Sequence, residues 1–380
     1  MDVFVDLFLE KIRIRGSDLK FNAKIPLRPL PKGEEVEQAG VDGGGGVLKL
    51  EGGKVLYIAR AVAVSSDGMI RDMIVEVNPW ESKPLLESMR SYVELSAASR
   101  VKDKELLMDG SYYTVVVRWL QRVARVALMK AKTSEILSLP YTLLALEKLV
   151  DIVKKKPIFV AKSPRFKVFK DYLILKELYE RTGYEKFYFL MKSPELDKKE
   201  LIPYLRDPNA RDLVQVLLSA AISDVDMIEG EGYTFGLELG LPRKIRRILS
   251  PSMIREIVQM ARENYEMTTG EEAPRVNLEE LCYLKSPVLW WVSTGRVKFT
   301  VEEASGQPLC ISSVRREIDA APSALPHLVA HEYNPWLALA HTISTLKGEQ
   351  LMVYAQLLKA RLGIGMEVIR EDLLSTSRSR

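Results

Sequence analysis

Two stretches of the sequence share one plan. Val41-Asp42-Gly43-Gly44 and Met108-Asp109-Gly110-Ser111 each end an apolar run in an aspartate followed by glycine. A buried strand tip fixes a carboxylate rigidly, and the glycine lets a ligand or metal come close to the backbone. Two such carboxylates on neighbouring strands can share hard divalent cations, because magnesium and manganese prefer oxygen ligands. Asp-Gly is also an ordinary turn signal, so turn and ligand pair are both readings of these residues. Glu94 falls on a helix between the two aspartates, on the same broad face as Ser91 and Ala98. A solvated helix glutamate is the plain alternative there.

The three histidines, His327, His331 and His341, crowd into one short window. His327 and His331 stand four apart and on a helix would share a zinc-binding face. Pro322, Pro326 and Pro335 argue against a long regular helix, and Glu332 follows the second histidine, which is not the metalloprotease order. His341 sits in a closing helical stretch beside Trp336, Leu337 and Ala340, as a core residue or a site residue. Basic residues gather at Arg118, Arg122 and Arg125, at Lys154-Lys155-Lys156 with Lys162, Arg165, Lys167 and Lys170, and at Arg243, Lys244, Arg246 and Arg247. Such stripes neutralise phosphates or are simply solvated faces. Lys162 stands apart because it terminates a buried strand, where it could hold a phosphate.

The elements that must position these groups follow from periodicity. Residues 2–15 place Phe4, Leu7, Phe8 and Ile12 on one helical face, and prolines at 26, 29 and 31 make residues 24–35 a linker. Short strands are expected at 36–41, 105–109, 157–161, 187–191, 288–292 and 297–300. Residues 54–64 and 69–77, joined by Ser65-Ser66-Asp67-Gly68, read as a β-hairpin. Helices are expected at 80–100, from 110 to about 149 with a break near Pro140, at 172–181, and as one long helix at 336–362. The stretch from about 195 to 285 reads as a helical insertion. Early strands followed by alternating strands and helices predict an α/β fold built on one mixed sheet.

Composition narrows the function classes. The 380 residues are 47% apolar, enough for a sizeable core, and 55 Lys and Arg against 51 Asp and Glu leave only +4. Any nucleic acid is therefore held by local patches rather than by bulk charge. Two cysteines, Cys282 and Cys310, support neither a disulfide framework nor a four-thiolate zinc site, which suits a reducing compartment. Acids at Asp2 and Asp6 stand where a signal peptide needs basic residues, and no apolar run reaches the roughly 18 residues of a membrane span. A cytoplasmic protein is expected.

The ordered series Val41-Asp42-Gly43-Gly44, Glu94, Leu107-Met108-Asp109-Gly110-Ser111, Lys162-Ser163 and Tyr333-Asn334-Pro335-Trp336-Leu337-Ala338-Leu339-Ala340-His341 resembles the NurA family of archaeal and bacterial DNA-end nucleases. The resemblance implies an RNase H-like mixed sheet flanked by helices. It implies an organisation of N-terminal helix and linker (1–35), nuclease domain (36–365, with the insertion at about 195–285) and tail (366–380). Asp42, Glu94 and Asp109 match the family's metal-binding carboxylates, with Glu87 a possible substitute for Glu94, and Tyr333 and His341 complete the site. His341 is then a metal ligand or a proton donor to the leaving group, and Tyr333 and Lys162 serve the scissile phosphate. Arg118, Arg122, Arg165, Lys167, Arg243, Lys244, Arg246 and Arg247 are the candidate DNA contacts. The family is manganese-dependent, with magnesium possible. It degrades DNA from 5′ ends, cuts single strands internally, and works as a toroidal dimer on a HerA-type hexameric motor in recombinational end processing. One departure is local: the family places proline directly after the tyrosine, and here Asn334 intervenes. A non-catalytic DNA-end clamp, and a zinc hydrolase on the three histidines, are the competing readings.

Overall fold

A computed structural model describes residues 24–32, 36–50, 52–162, 166–219, 222–328 and 334–362. The helix expected at 2–15, the tail at 366–380, and Arg165, His331 and Tyr333 lie outside them. Strand β1 (Gln38–Lys49) pairs antiparallel with β2 (Val55–Ser65), and β2 pairs with β3 (Gly68–Asn78) in the expected hairpin. On its other side β1 runs parallel to β4 (Glu105–Asp109), which runs parallel to β5 (Ile158–Lys162). The order β3-β2-β1-β4-β5, an antiparallel meander continued by two parallel strands, is RNase H-like.

Four further strands extend the sheet beyond β5. They are β7 (Gly236–Glu238), β8 (Lys285–Thr294), β9 (Lys298–Pro308) and β10 (Arg316–Ile318), in the spatial order β9-β8-β7-β10. A short strand, β6 (Glu231–Tyr233), also pairs with β8. The late strands are longer than the sequence pattern suggests, and the stretch from about 195 to 285 holds two strands as well as helices.

Helices cover both faces. α1 (Lys83–Ser99), α2 (Tyr112–Ala127) and α3 (Leu139–Val153) bury one face around Val41, Tyr57, Ala59, Met89, Val93 and Met108. The predicted break near Pro140 falls instead between 128 and 138. Pro140 lies in the first turn of α3, where its missing N–H costs nothing. Between β5 and β8, α4 (Val168–Thr182), α5 (Glu185–Lys192) and α6 (Arg211–Leu218) enclose a second core with Leu237, Leu289 and Trp291. α5 replaces the strand expected at 187–191. Phe187, Leu190 and Met191 are buried at i, i+3 and i+4, so the short apolar run carries a helical period. α7 (Pro251–Thr269) packs on α2.

The opposite face of β1 and β2 is closed by α8 (Pro335–Ser344) and α9 (Gly348–Leu362). The single closing helix that the sequence suggests is thus two. Arg60 supplies the reason: its guanidinium donates to the carbonyls of Ile343, Ser344 and Thr345 at 2.8–2.9 Å, consuming the acceptors at the end of α8. Among the described residues no helix is long and apolar enough to cross a membrane.

Candidate metal centre

β1 does not stop at Asp42, as an Asp-Gly turn would require. It continues through Gly43-Gly44-Gly45-Gly46 to Lys49 in unbroken register with β2. The glycines are there for close approach. A Cβ on Gly43 would lie 2.5 Å from Cγ and 2.6 Å from Oε1 of Glu94, and one on Gly44 would strike the Ser344 carbonyl. β1 is therefore sandwiched between α1 and α8 at a spacing that side chains would forbid. Alternation along the strand sends Asp42 toward α8 and leaves Gly43 facing α1, where Glu94 fills the space.

The register Val41↔Met108 between parallel strands, continued by one residue, puts Asp42 beside Asp109 on the same face. Asp109 is at the tip of β4, as its sequence predicts, and Gly110 makes the exit with φ +113°. Asp42 is buried. Its Oδ2 lies 2.6 Å from Nδ1 of His341 and accepts from Ser344 Oγ at 3.2 Å, while Oδ1 accepts from the Gly43 amide at 2.7 Å. Asp42, Asp109 and His341 each offer a ligand atom within 4.8 Å of the other two, although nearly 300 residues separate Asp42 from His341. Two carboxylates and an imidazole make a mixed oxygen and nitrogen donor set that fits a divalent cation of the manganese type.

The acids strain against one another. Burial and then the Asp42 charge push the Asp109 carboxyl up to about 6, against the pull of Lys162, His341 and Arg90. Burial pushes Glu94 up to about 8. Arg90 opposes that rise, and Asp42 and Asp109 add to it. Glu94 is 3.4 Å from Nε of Arg90, one turn earlier on α1, and is not in the group that converges within 4.8 Å. Glu87, the alternative ligand, instead faces Arg118 at 3.7 Å and Arg122 at 3.5 Å.

α8, which carries His341, is held at both ends. Asn334 Oδ1 accepts from the amides of Trp336 and Leu337, and its Nδ2 donates to Gln38 Oε1 at 2.5 Å, next to the start of β1. The residue interposed between Tyr333 and Pro335 is thus the N-cap, with Pro335 in the first turn. Arg60 closes the other end. Neither Arg60 nor Ser344 is prominent in the sequence. The nearest signal for Arg90 is its i,i+4 spacing to Glu94.

The remaining candidates separate by placement. Lys162 ends β5 beside the site and draws Asp109 down. Arg122 departs from its expected role as a DNA contact. It is buried, with Nη1 donating to Ser88 Oγ at 2.5 Å and Nη2 near Glu87, so its charge serves the packing of α1, α2 and α3. Arg118 is half-exposed. Arg243, Lys244 and Arg247 are exposed and Arg246 is half-buried around a short helical turn. Lys167 precedes α4. Tyr333, His331 and Arg165 lie outside the described residues, and of His327 only the backbone, in a short turn of helix, is described. Among the described residues, Asp42, Asp109 and His341 are the one such group able to hold a metal, and the contact of His341 there is to Asp42.

No protein-family model matches the chain, and no curated protein matches it. Among solved structures it is similar to a crystal structure of NurA at 13% identity and a TM-score of 0.49, covering 98% of both chains. It is also similar to a crystal structure of NurA with manganese (14%, TM-score 0.46, 95% of this chain and 97% of the other). A third is a crystal structure of NurA bound to dAMP and manganese (14%, TM-score 0.43, 98% of both chains).

Proposed function

We propose that the chain is a metal-dependent DNA nuclease of the NurA type. The convergence of Asp42, Asp109 and His341 within 4.8 Å carries this reading, because the motif resemblance identified the same three positions from the sequence. Bound divalent cations, manganese first and magnesium as the alternative, would supply Lewis-acid stabilisation of the scissile phosphate and of the charge on the leaving oxygen. Asp42 and Asp109 would hold them, and Glu94 would join these two ligands once a cation draws it in. Asp42 orients the His341 ring through Nδ1, which leaves Nε2 to serve as a ligand or to move a proton to the leaving 3′ oxygen. Lys162 neutralises the phosphate, and Tyr333 orients it.

Arg118, Arg165, Lys167, Arg243, Lys244, Arg246 and Arg247 are proposed to contact the DNA backbone. The same reading implies 5′-to-3′ exonuclease and single-strand endonuclease activity by a homodimer. It also implies docking on a HerA-type hexameric ATPase during DNA-end processing for recombinational repair. The test is cleavage of a 5′-labelled duplex with manganese, compared among wild type, Asp42→Ala and Asp109→Ala at matched folding. Manganese-stimulated cleavage lost in both variants supports the assignment. Cleavage kept in both removes the site. Salt-sensitive DNA binding without any cleavage points to the non-catalytic clamp instead.

A further inference from the structure

The residue that the nuclease reading leaves unused is Arg90. It lies four residues before Glu94 on α1, with Nε 3.4 Å from Glu94 Oε1. An exposed i,i+4 pair contributes little. This pair is not of that kind, because the two side chains differ in exposure: half of the Arg90 side chain is open to solvent, against 15% for Glu94. The acid is wedged against Gly43, and the base stands at the outer side of the wedge.

The charges around Arg90 belong to the candidate metal centre. After Glu94, the groups that stabilise its cation are Asp42, Glu87 and Asp109, and Arg90 in turn steadies both Asp109 and Glu94. Three carboxylates close together repel one another, and a fixed guanidinium relieves part of that repulsion. A divalent cation entering between Asp42 and Asp109 would relieve the same repulsion. Arg90 and the cation therefore draw on one pool of negative charge, and Glu94 is the ligand for which they compete.

We propose that Arg90 is a built-in counter-cation that holds Glu94 outside the converging ligand set and raises the divalent-ion concentration the site needs. Arg90 acts through Glu94, so it is a positioning residue. The proposal rests on the nuclease reading of the site. It predicts that removing the guanidinium tightens metal binding, whereas loss of a merely structural ion pair would leave affinity unchanged or weaken it.

Calorimetric titration of manganese chloride into the full-length protein, with no DNA present, separates these outcomes. Arg90→Gln should bind manganese about three- to tenfold more tightly than wild type, the scale of removing one unit charge a few ångströms from a cation at a partly solvated site. Arg90→Lys, which keeps the charge, should stay close to wild type. In a Glu94→Gln background the same Arg90→Gln change should tighten binding distinctly less, since the contested ligand is gone and only the direct repulsion between Arg90 and the cation remains. Unchanged or weaker affinity in Arg90→Gln overturns the proposal, as does equal tightening with and without Glu94. Absence of manganese binding by wild type overturns the metal-centre reading itself, and the proposal with it.

Discussion

Asp224 and Asp42 are both aspartates with almost no exposure, one shortly before β6 and one on β1. Asp224 is surrounded by donors. It accepts from the amides of Val168, Phe169 and Lys170 at 2.8–3.2 Å, in the first turn of α4, and from Trp291 Nε1 at 3.3 Å. Glu238 on β7 is satisfied in the same way, by Ser286 Oγ at 2.6 Å, the Gln307 amide at 2.7 Å and Arg316 at 2.7 Å. Asp42 has the Gly43 amide, Ser344 and His341, but its neighbours also include Asp109 and Glu94. A buried acid that serves the fold is matched to N–H and O–H groups of its own chain. Acids set against other acids cost stability, and the fold keeps such an arrangement where a cation is to be held.

That contrast is broken or sharpened by one substitution on each side. Asp109→Asn removes a site charge that burial and Asp42 oppose, so cleavage should fall at least about a hundredfold while stability at neutral pH rises by about 1 kcal/mol. Asp224→Ala strips the first turn of α4 of its acceptor and should lower stability by about 3 kcal/mol, with turnover per folded molecule unchanged. Chemical denaturation and turnover on a labelled duplex measure both. A destabilised Asp109→Asn, or an inactive but stable Asp224→Ala, would erase the distinction.

Gly43→Ala tests the same boundary from the backbone. The added methyl meets Glu94 Cγ and Oε1 at 2.5–2.6 Å, so the acid must leave its position. Manganese affinity by calorimetry should weaken about 10- to 100-fold, with a stability loss of about 1–3 kcal/mol from overpacking. Wild-type affinity in this variant would remove Glu94 from the ligand set.

Glu302 on β9 is an intermediate case: fully buried, yet its Oε2 has the Tyr113 amide at 2.8 Å. Burial pushes its carboxyl up to about 7, against hydrogen bonds from Ser111, Tyr113 and Tyr112. An acid whose folded value is raised keeps its proton longer in the native state. Its contribution is undiminished at acid pH and declines as pH rises from about 4.5 through about 7. Glu302→Gln should therefore lose less stability than wild type between about pH 5 and pH 8, read from denaturation midpoints at each pH. Equal slopes would show that Glu302 is ionised in the native state throughout that range.

How far the sequence could be read depended on whether a signal was local. The hairpin at 55–78 and the tip aspartate Asp109 were legible, because turn chemistry and a short apolar run are local signals. Asp42 and its glycines stay open in the sequence between a turn and a strand that a ligand or another element approaches closely. Nothing nearby in the sequence reports that Glu94 and Ser344 press on them from two sides. Arg122 looked like one more member of a basic stripe, and only the packing of three helices makes it internal. The break between α8 and α9 escaped for the same reason: Arg60, which causes it, is some 280 residues away.

The smallest of these effects tests the N-terminal anchor of α8. Asn334 is buried and does two things: Oδ1 caps the helix, and Nδ2 ties it to Gln38, whose own Nε2 donates to Glu105 at 2.6 Å. Asn334→Ala loses both and should cost about 1–2 kcal/mol. Asn334→Asp keeps the cap acceptor, favoured by the helix dipole, and loses only the tie to Gln38. Because that tie links α8 to the start of β1, and His341 and Asp42 lie further along the same two elements, Asn334→Asp should lower manganese affinity modestly while recovering most of the stability. Thermal melts and calorimetry on the two variants separate helix capping from registration of the site. If affinity follows stability in both, the anchor contributes to folding alone.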